Sequence, residues 1–201
     1  MTTFLLIRHG AHLLGGDRIA GRLPGVGLSP LGHEQVRSMV ERVAYLPIRA
    51  VYSSPMERTL QTARPLAARL GLETVTNPHL NELDFGDWTG AELSTLRTLE
   101  SWKGWNSFRS GSRAPGGESM LEAQSRIVGE ILRLRAFHGE AVLALVTHAD
   151  IIRAALAYFM GIPLDLFQRA EISLASVSVV RVAEFGPWVL CVNSTPDITT
   201  A

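Results

Sequence analysis

Two apolar runs of this chain end on a histidine. Phe4-Leu5-Leu6-Ile7 leads into Arg8-His9-Gly10, and Ala141 to Val146 leads into Thr147-His148-Ala149-Asp150. An imidazole can serve as nucleophile, base or metal ligand. A guanidinium beside it binds anions through a two-pronged fork and holds the imidazole toward its neutral, nucleophilic form. Gly10 has no Cβ, so an anionic ligand could approach the backbone closely there. Arg58 follows Ser53-Ser54-Pro55-Met56-Glu57, in the first turn of an expected helix. The positive end of the helix dipole disfavours a cation there, but free N–H groups beside an arginine make a phosphate site. Glu82 lies between Leu80 and Leu83, where partial burial would raise its pKa and suit it to proton donation. Taken singly, each group also has a plain structural reading. Arg8 can cap a strand end in solvent, His9 can be a polar loop residue, and Arg58 can be solvated on a surface helix.

The elements that must carry these groups are legible from periodicity and caps. Phe4 to Ile7, Ala50 to Tyr52 and Ala141 to Val146 read as strands, the last apolar on both faces as central parallel strands are. Ser29-Pro30 gives an N-cap with proline at the first helical position, and Val36, Met39, Val40 and Val43 follow on one face. His33 and Glu34 should face solvent. Ser54 and Glu57 have capping-box spacing, as do Ser119 and Glu122 ahead of the longest helix. Gly71, Gly139 and Gly161 should close three helices, the last starting near Asp150. Glu73 to Thr76 reads as a brief strand. Between Pro78 and Gly90, three carboxylates among aromatics and glycines suggest a site-forming loop, with Asp84 and Asp87 as turn formers. Residues from about 88 to 115, with Trp102, Trp105 and Phe108 amid Arg97, Arg109 and Arg113, suggest a small cap, although aromatics at this spacing also fill cores. Ser176 to Glu184 and Trp188 to Val192 form a hairpin about Gly186-Pro187, so at least one antiparallel strand joins the sheet near the C-terminus. Pro196 to Ala201 reads as a loose tail.

Composition bounds the rest. The 201 residues suit a single domain, 1–201, and no repeat or linker marks a second. Charged residues make up 19% and balance to zero, which offers neither a nucleic-acid groove nor a surface for anionic membranes. Any anion site must therefore be a local pocket made by a few arginines. Cys191 is the only cysteine, which excludes an intrachain disulfide and a thiolate zinc cluster. No basic segment precedes a sustained apolar stretch, and the apolar runs fall short of the roughly 18 residues of a membrane span. The expectation is an untargeted cytoplasmic protein with no membrane partner.

Read together, the motifs resemble the histidine phosphatase superfamily, the phosphoglycerate-mutase-like proteins. The resemblance rests on Arg8-His9-Gly10 after an apolar strand, Ser53-Ser54-Pro55 with Arg58 and Gln61-Thr62-Ala63 behind it, and Glu82 before Asp84-Phe85-Gly86. Gly117-Glu118-Ser119 and Thr147-His148 complete the order, from Phe4 to about Ile152. It implies an α/β three-layer sandwich about a mostly parallel sheet, with a phosphate pocket at the C-terminal edge. His9 would be the nucleophile, Arg8, Arg58 and His148 would bind phosphoryl oxygens, and Glu82 would be the general acid. No metal or cofactor is expected, and the partner is a small-molecule phosphomonoester. Relatives often carry a small hydroxyl residue and an asparagine where this chain has His12 and Gly15. Arg22 and His12 are therefore assigned, with Gly10 and Ala149, as candidate substrate contacts, although His12 has a surface reading that is slightly preferred.

The segment from Asp84 to Pro115 is short beside the water-excluding insertion of glycolytic mutases, which favours hydrolysis over mutase-type transfer. A metal site built from His9, His12, His79, His148 and Asp150 is the competing chemistry, but neighbouring arginines repel a divalent cation. A phosphate-binding module without turnover is the third reading. The apolar hairpin around Trp188 offers an edge for a homodimer.

Overall fold

The computed structural model describes residues 1–196. Apart from Pro196 itself, the expected tail lies outside them. A six-stranded sheet runs in the order β3-β2-β4-β1-β5-β6. Its strands are β1 (Thr2–Arg8), β2 (Ile48–Ser53), β3 (Thr74–Thr76), β4 (Ala141–Thr147), β5 (Val177–Ala183) and β6 (Gly186–Ser194). β1, β2, β3 and β4 are parallel, while β5 runs against both β1 and β6. The expected antiparallel hairpin is thus present, and β6 forms one edge with Trp188 and Leu190 exposed.

Side chains on a strand alternate between faces, and the core divides accordingly. Phe4, Leu6, Leu143, Leu145 and Val180 point to one layer, covered by α5 (Met120–His138) and α6 (Ala149–Met160). Leu5, Ile7, Ala144, Val146 and Val177 point to the other, covered by α1 (Pro30–Val43) and α2 (Glu57–Leu70). Each fully buried leucine or isoleucine contributes about 1.5–3 kcal/mol by leaving water. The buried Ala154, Ala155 and Ala157 keep the inner face of α6 smooth, so the helix can approach the sheet closely.

Ser29 caps α1 by accepting from the Gly32 amide, and Ser119 and Glu122 form the expected capping box on α5. The box expected at Ser54 and Glu57 does not form. α2 begins with Met56 as its N-cap, without a side-chain bond, because Ser54 Oγ is engaged by His148 instead. Two short helices, α3 (Leu93–Leu96) and α4 (Glu100–Ser107), lie in the segment expected to form a cap. Trp105 is buried there, packed edge-on against Trp88 at 5.3 Å and Phe85 at 5.8 Å. Part of the cap is therefore core, as the packing reading of its aromatics anticipated.

Candidate active site

Parallel pairing of β1 with β4 aligns Arg8 with Thr147, which puts the next residues, His9 and His148, side by side at the sheet's C-terminal edge. Their ring centroids are 5.2 Å apart, although they stand 139 positions apart in the chain. The His9 amide donates to the Thr147 carbonyl at 3.1 Å, extending the ladder one residue past the strands. His9 Nδ1 lies 2.7 Å from the Gly10 carbonyl oxygen. A carbonyl only accepts, so Nδ1 carries the proton and Nε2 keeps its lone pair. Arg58 Nε–H points at that lone pair from 3.4 Å. Burial, then the Arg58 and Arg8 charges, hold His9 well below the ordinary histidine pKa, so the imidazole is neutral at physiological pH.

Arg58 is buried at the start of α2, held by Nη2 to the Gly21 carbonyl at 2.7 Å and to His148 Nδ1 at 3.2 Å. Arg8 is anchored through Nη1 to the Ile172 carbonyl at 2.6 Å. Arg8 Nε, Arg58 Nη1 and His12 Nδ1 are buried without a hydrogen-bond partner in the described protein. Three orphaned polar nitrogens, two of them cationic donors, around one imidazole make a site suited to an oxyanion. The Gly10 amide is not available to it, because it donates to Thr62 Oγ1 at 3.2 Å.

His148 is completely buried, and it stands behind Arg58 rather than lining the cleft. Arg58 donates to its Nδ1, so Nε2–H donates to Ser54 Oγ at 2.9 Å. Burial, then the Arg58 charge, keeps it neutral too. Glu82 Oε2 lies 3.6 Å from His148 Nδ1. Burial first, then repulsion by Asp150, pushes Glu82 up to about 7, against the pull of Arg58. A carboxylic acid that still holds its proton near neutrality thus lies beside a neutral imidazole and two arginines.

Arg8, His9, Arg58 and Glu82 line a cleft of about 480 Å³ whose other wall includes Leu93, Trp102, Asn106 and Arg109. Ala149, His12 and Gly15 also line it. The His12 ring is 5.5 Å from that of His9, and burial and Arg58 lower its pKa to about 4, so the preferred surface reading of His12 is corrected. Arg22 and Gly10 are corrected in the other direction, since neither lines the cleft. Arg22 spends its guanidinium on the Glu82 carbonyl, Asp84 and Glu118. A Cβ on Gly10 would lie 2.7 Å from the Gly32 carbonyl oxygen, so its bareness admits the start of α1 and not a ligand.

The outer wall holds Asn106, Arg153 and Gln168, which sequence reading did not single out, beside Trp102 and Arg109 from the segment expected to form a cap, and Asp150. Arg109 lies over the Trp105 ring at 3.3 Å and pairs with Asp150 at 3.5 Å; burial lowers its pKa to about 10. Arg153 also pairs with Asp150, at 3.1 Å. For Arg153 the sequence signal was its spacing from Asp150 along α6. Asp84 accepts from the Gly86 amide at 3.0 Å, the turn role expected of it. Among the described residues, no three His, Cys, Asp or Glu side chains converge as metal ligands, and no helix is long and apolar enough to cross a membrane.

Comparison with known proteins identifies the family. The model of the histidine phosphatase superfamily, branch 1, matches residues 4–195. A Proteus mirabilis protein named "Probable phosphoglycerate mutase GpmB" is 31% identical over 195 residues, covering 94% of this chain and 88% of its own. Phosphoserine phosphatase 1 of Hydrogenobacter thermophilus is 26% identical over 200 residues, covering 97% and 93%. Among solved structures, a mycobacterial glucosyl-3-phosphoglycerate phosphatase superposes with a TM-score of 0.87 at 22% identity, over 96% of this chain and 99% of that one. A family match across almost the whole chain, joined to that level of identity, makes this protein a phosphatase-type enzyme of the histidine phosphatase superfamily.

Proposed function

We propose that the protein hydrolyses small phosphomonoesters through a phosphohistidine on His9, with Glu82 as general acid and then general base and without a metal ion. The observation that carries this reading is the lone pair of His9 Nε2, directed toward Arg58 beside the orphaned donors Arg8 Nε and Arg58 Nη1. Phosphoryl transfer asks the protein mainly for position and for positive charge around the equatorial oxygens, which two arginines supply. In the first step Nε2 attacks phosphorus in line. The P–O bond to the alcohol breaks, its electron pair goes to the leaving oxygen, and the Glu82 carboxyl gives that oxygen its proton. Nδ1–H stays on the Gly10 carbonyl throughout and steadies the cationic ring. In the second step water attacks phosphorus while the ionised Glu82 takes its proton. The P–N bond breaks, Nε2 regains its lone pair, and phosphate leaves. His148 serves by holding Arg58 in place through Nδ1.

A carboxyl near pKa 7 is suited to both duties, because about half of it is in either form at neutral pH. Return of the phosphoryl group to a sugar acid, the mutase alternative, is favoured by the name of the Proteus relative. The short cap favours hydrolysis, and assay of 2- and 3-phosphoglycerate separates the two by interconversion or phosphate release.

The test is release of p-nitrophenol from p-nitrophenyl phosphate, with and without chelator. We expect chelator-insensitive turnover that falls by about 10⁴-fold or more in His9→Ala. Turnover that survives His9→Ala, or that disappears with chelator, would overturn the route. For an alkyl phosphate, whose first step needs protonated Glu82, kcat/KM should decline as pH rises through about 7.

A further inference from the structure

The segment that carries Glu82 has almost no secondary structure of its own. A single 3-10 turn, Pro78–Leu80, ends just before it, and the next begins at Gly86. Its backbone is instead held by side chains from three other parts of the chain. Thr147 Oγ1 donates to the Leu80 carbonyl at 2.6 Å. Arg126 Nη1, from α5, donates to the His79 and Asn81 carbonyls at 2.7 and 2.9 Å. Arg22 Nε, from the rim loop, donates to the Glu82 carbonyl at 2.8 Å.

Glu118 links the two arginines. Its Oε1 and Oε2 accept from Arg126 Nε and Nη2 at 3.0 and 2.9 Å, a forked pair, and Oε2 also accepts from Arg22 Nη2 at 3.1 Å and the Asp84 amide at 3.3 Å. Its own amide donates to the Asp84 carbonyl at 2.8 Å. Arg22 adds a bond to Asp84 Oδ2 at 3.2 Å. Glu118 and Arg126 are about five-sixths buried, at 15% and 16% exposure, so solvent screens their pairing little. The residue before Arg22, Gly21, offers the carbonyl that holds Arg58. One net of charge-assisted bonds therefore ties the loop bearing the acid to the loop that fixes the phosphate-facing arginine.

We infer that Arg22, Glu118 and Arg126 are positioning residues for the general acid: their net sets where the Glu82 carboxyl sits relative to the leaving oxygen, although none of them touches the substrate. This rests on the reading of Glu82 as the acid. The net has a specific chemical consequence. An alkyl alcohol leaves poorly as an alkoxide and needs the proton, whereas p-nitrophenolate is a good leaving group and does not. A displacement of about 1 Å can cost about 10²-fold in a step that depends on alignment. Glu118→Gln keeps the shape of the side chain but loses the charge that both arginines share, and Arg126→Lys cannot reproduce the planar fork.

The experiment compares kcat/KM for an alkyl phosphate, glycerol 2-phosphate, with that for p-nitrophenyl phosphate, in the full-length wild type, Glu118→Gln, Arg126→Lys and Glu82→Gln. This parameter covers the steps through release of the alcohol, so hydrolysis of phosphohistidine does not enter it. Glu118→Gln and Arg126→Lys should lose about 10–100-fold on the alkyl ester and less than about 3-fold on the aryl ester. Equal losses on both esters, or no loss on either, overturn the proposal. If either variant fails to fold by circular dichroism, Arg22→Lys, which keeps the charge at the net's more exposed corner, is read by the same ratio. If Glu82→Gln itself shows no difference between the esters while His9→Ala is inactive, the assignment of the acid has failed rather than the positioning.

Discussion

At the inner end of the cleft, neither Arg8 nor Arg58 is in an ion pair among the described residues, and each keeps a buried N–H group without a hydrogen-bond partner, as Arg109 at the outer end does too. At the outer end, Arg109 and Arg153 share Asp150, and the Arg109 guanidinium also lies against Trp105. Both ends are rich in arginine, yet only the inner one has positive charge left over. An incompletely satisfied buried cation costs free energy in the empty protein, and an entering oxyanion recovers it. Arginine content therefore does not locate a phosphate site; the absence of a compensating carboxylate does. At the inner end the carboxyl that acts most strongly on both arginines is Glu82, which burial keeps largely protonated up to about pH 7.

The comparison can be broken by neutralising one charged side chain at each end. Arg58→Met should lower kcat/KM for p-nitrophenyl phosphate by about 10²–10³-fold, because donors aimed at developing oxyanion charge carry about that much. A loss under about 10-fold would mean that Arg58 is structural and that the inner end is not special. At the outer end the larger effect should be on stability. Asp150→Asn leaves the buried Arg109 facing Arg153 without a carboxylate, which should cost about 3 kcal/mol in urea unfolding. A cost below about 1 kcal/mol would show that the Trp105 face alone suffices for Arg109.

A smaller, pH-dependent effect sharpens the contrast. The folded Glu82 carboxyl holds its proton up to about pH 7, whereas the unfolded one releases it near 4.5. The folded state therefore binds more protons between those values, and wild-type stability falls as pH rises through that window. Glu82→Gln removes this contribution, so its stability relative to wild type should rise by at most on the order of 3 kcal/mol between about pH 4 and about pH 8. Parallel stability curves for the two proteins would show that Glu82 ionises freely in the fold.

Much of this site was legible before any coordinates. An apolar run that ends on Arg8-His9, and another that ends on Thr147-His148, are local facts of the chain, and strands that end this way deliver polar groups to a sheet edge whatever surrounds them. Arg58 and Glu82 were found because a strand-to-helix turn and a carboxylate between leucines are also local patterns. Gly10 and Arg22 were misjudged as substrate contacts, and His12 as a surface residue, for the opposite reason. Gly10 is bare because Gly32, 22 positions on, packs against it, and Arg22 is spent because Glu82, Asp84 and Glu118 converge on it from two other loops.

The sequence by itself determined the strands, the helix caps at Ser29 and Ser119, and the chemistry available at the strand ends, since each depends on residues within a few positions of one another. Only the tertiary structure decided which cations are left unpaired, which imidazole faces the cleft, and how the acid loop is held. Those outcomes depend on contacts such as Arg58 with Gly21 and His148, or Glu118 with Arg22 and Arg126. Charge pairing and burial are properties of what surrounds a side chain in space, and no local pattern encodes them.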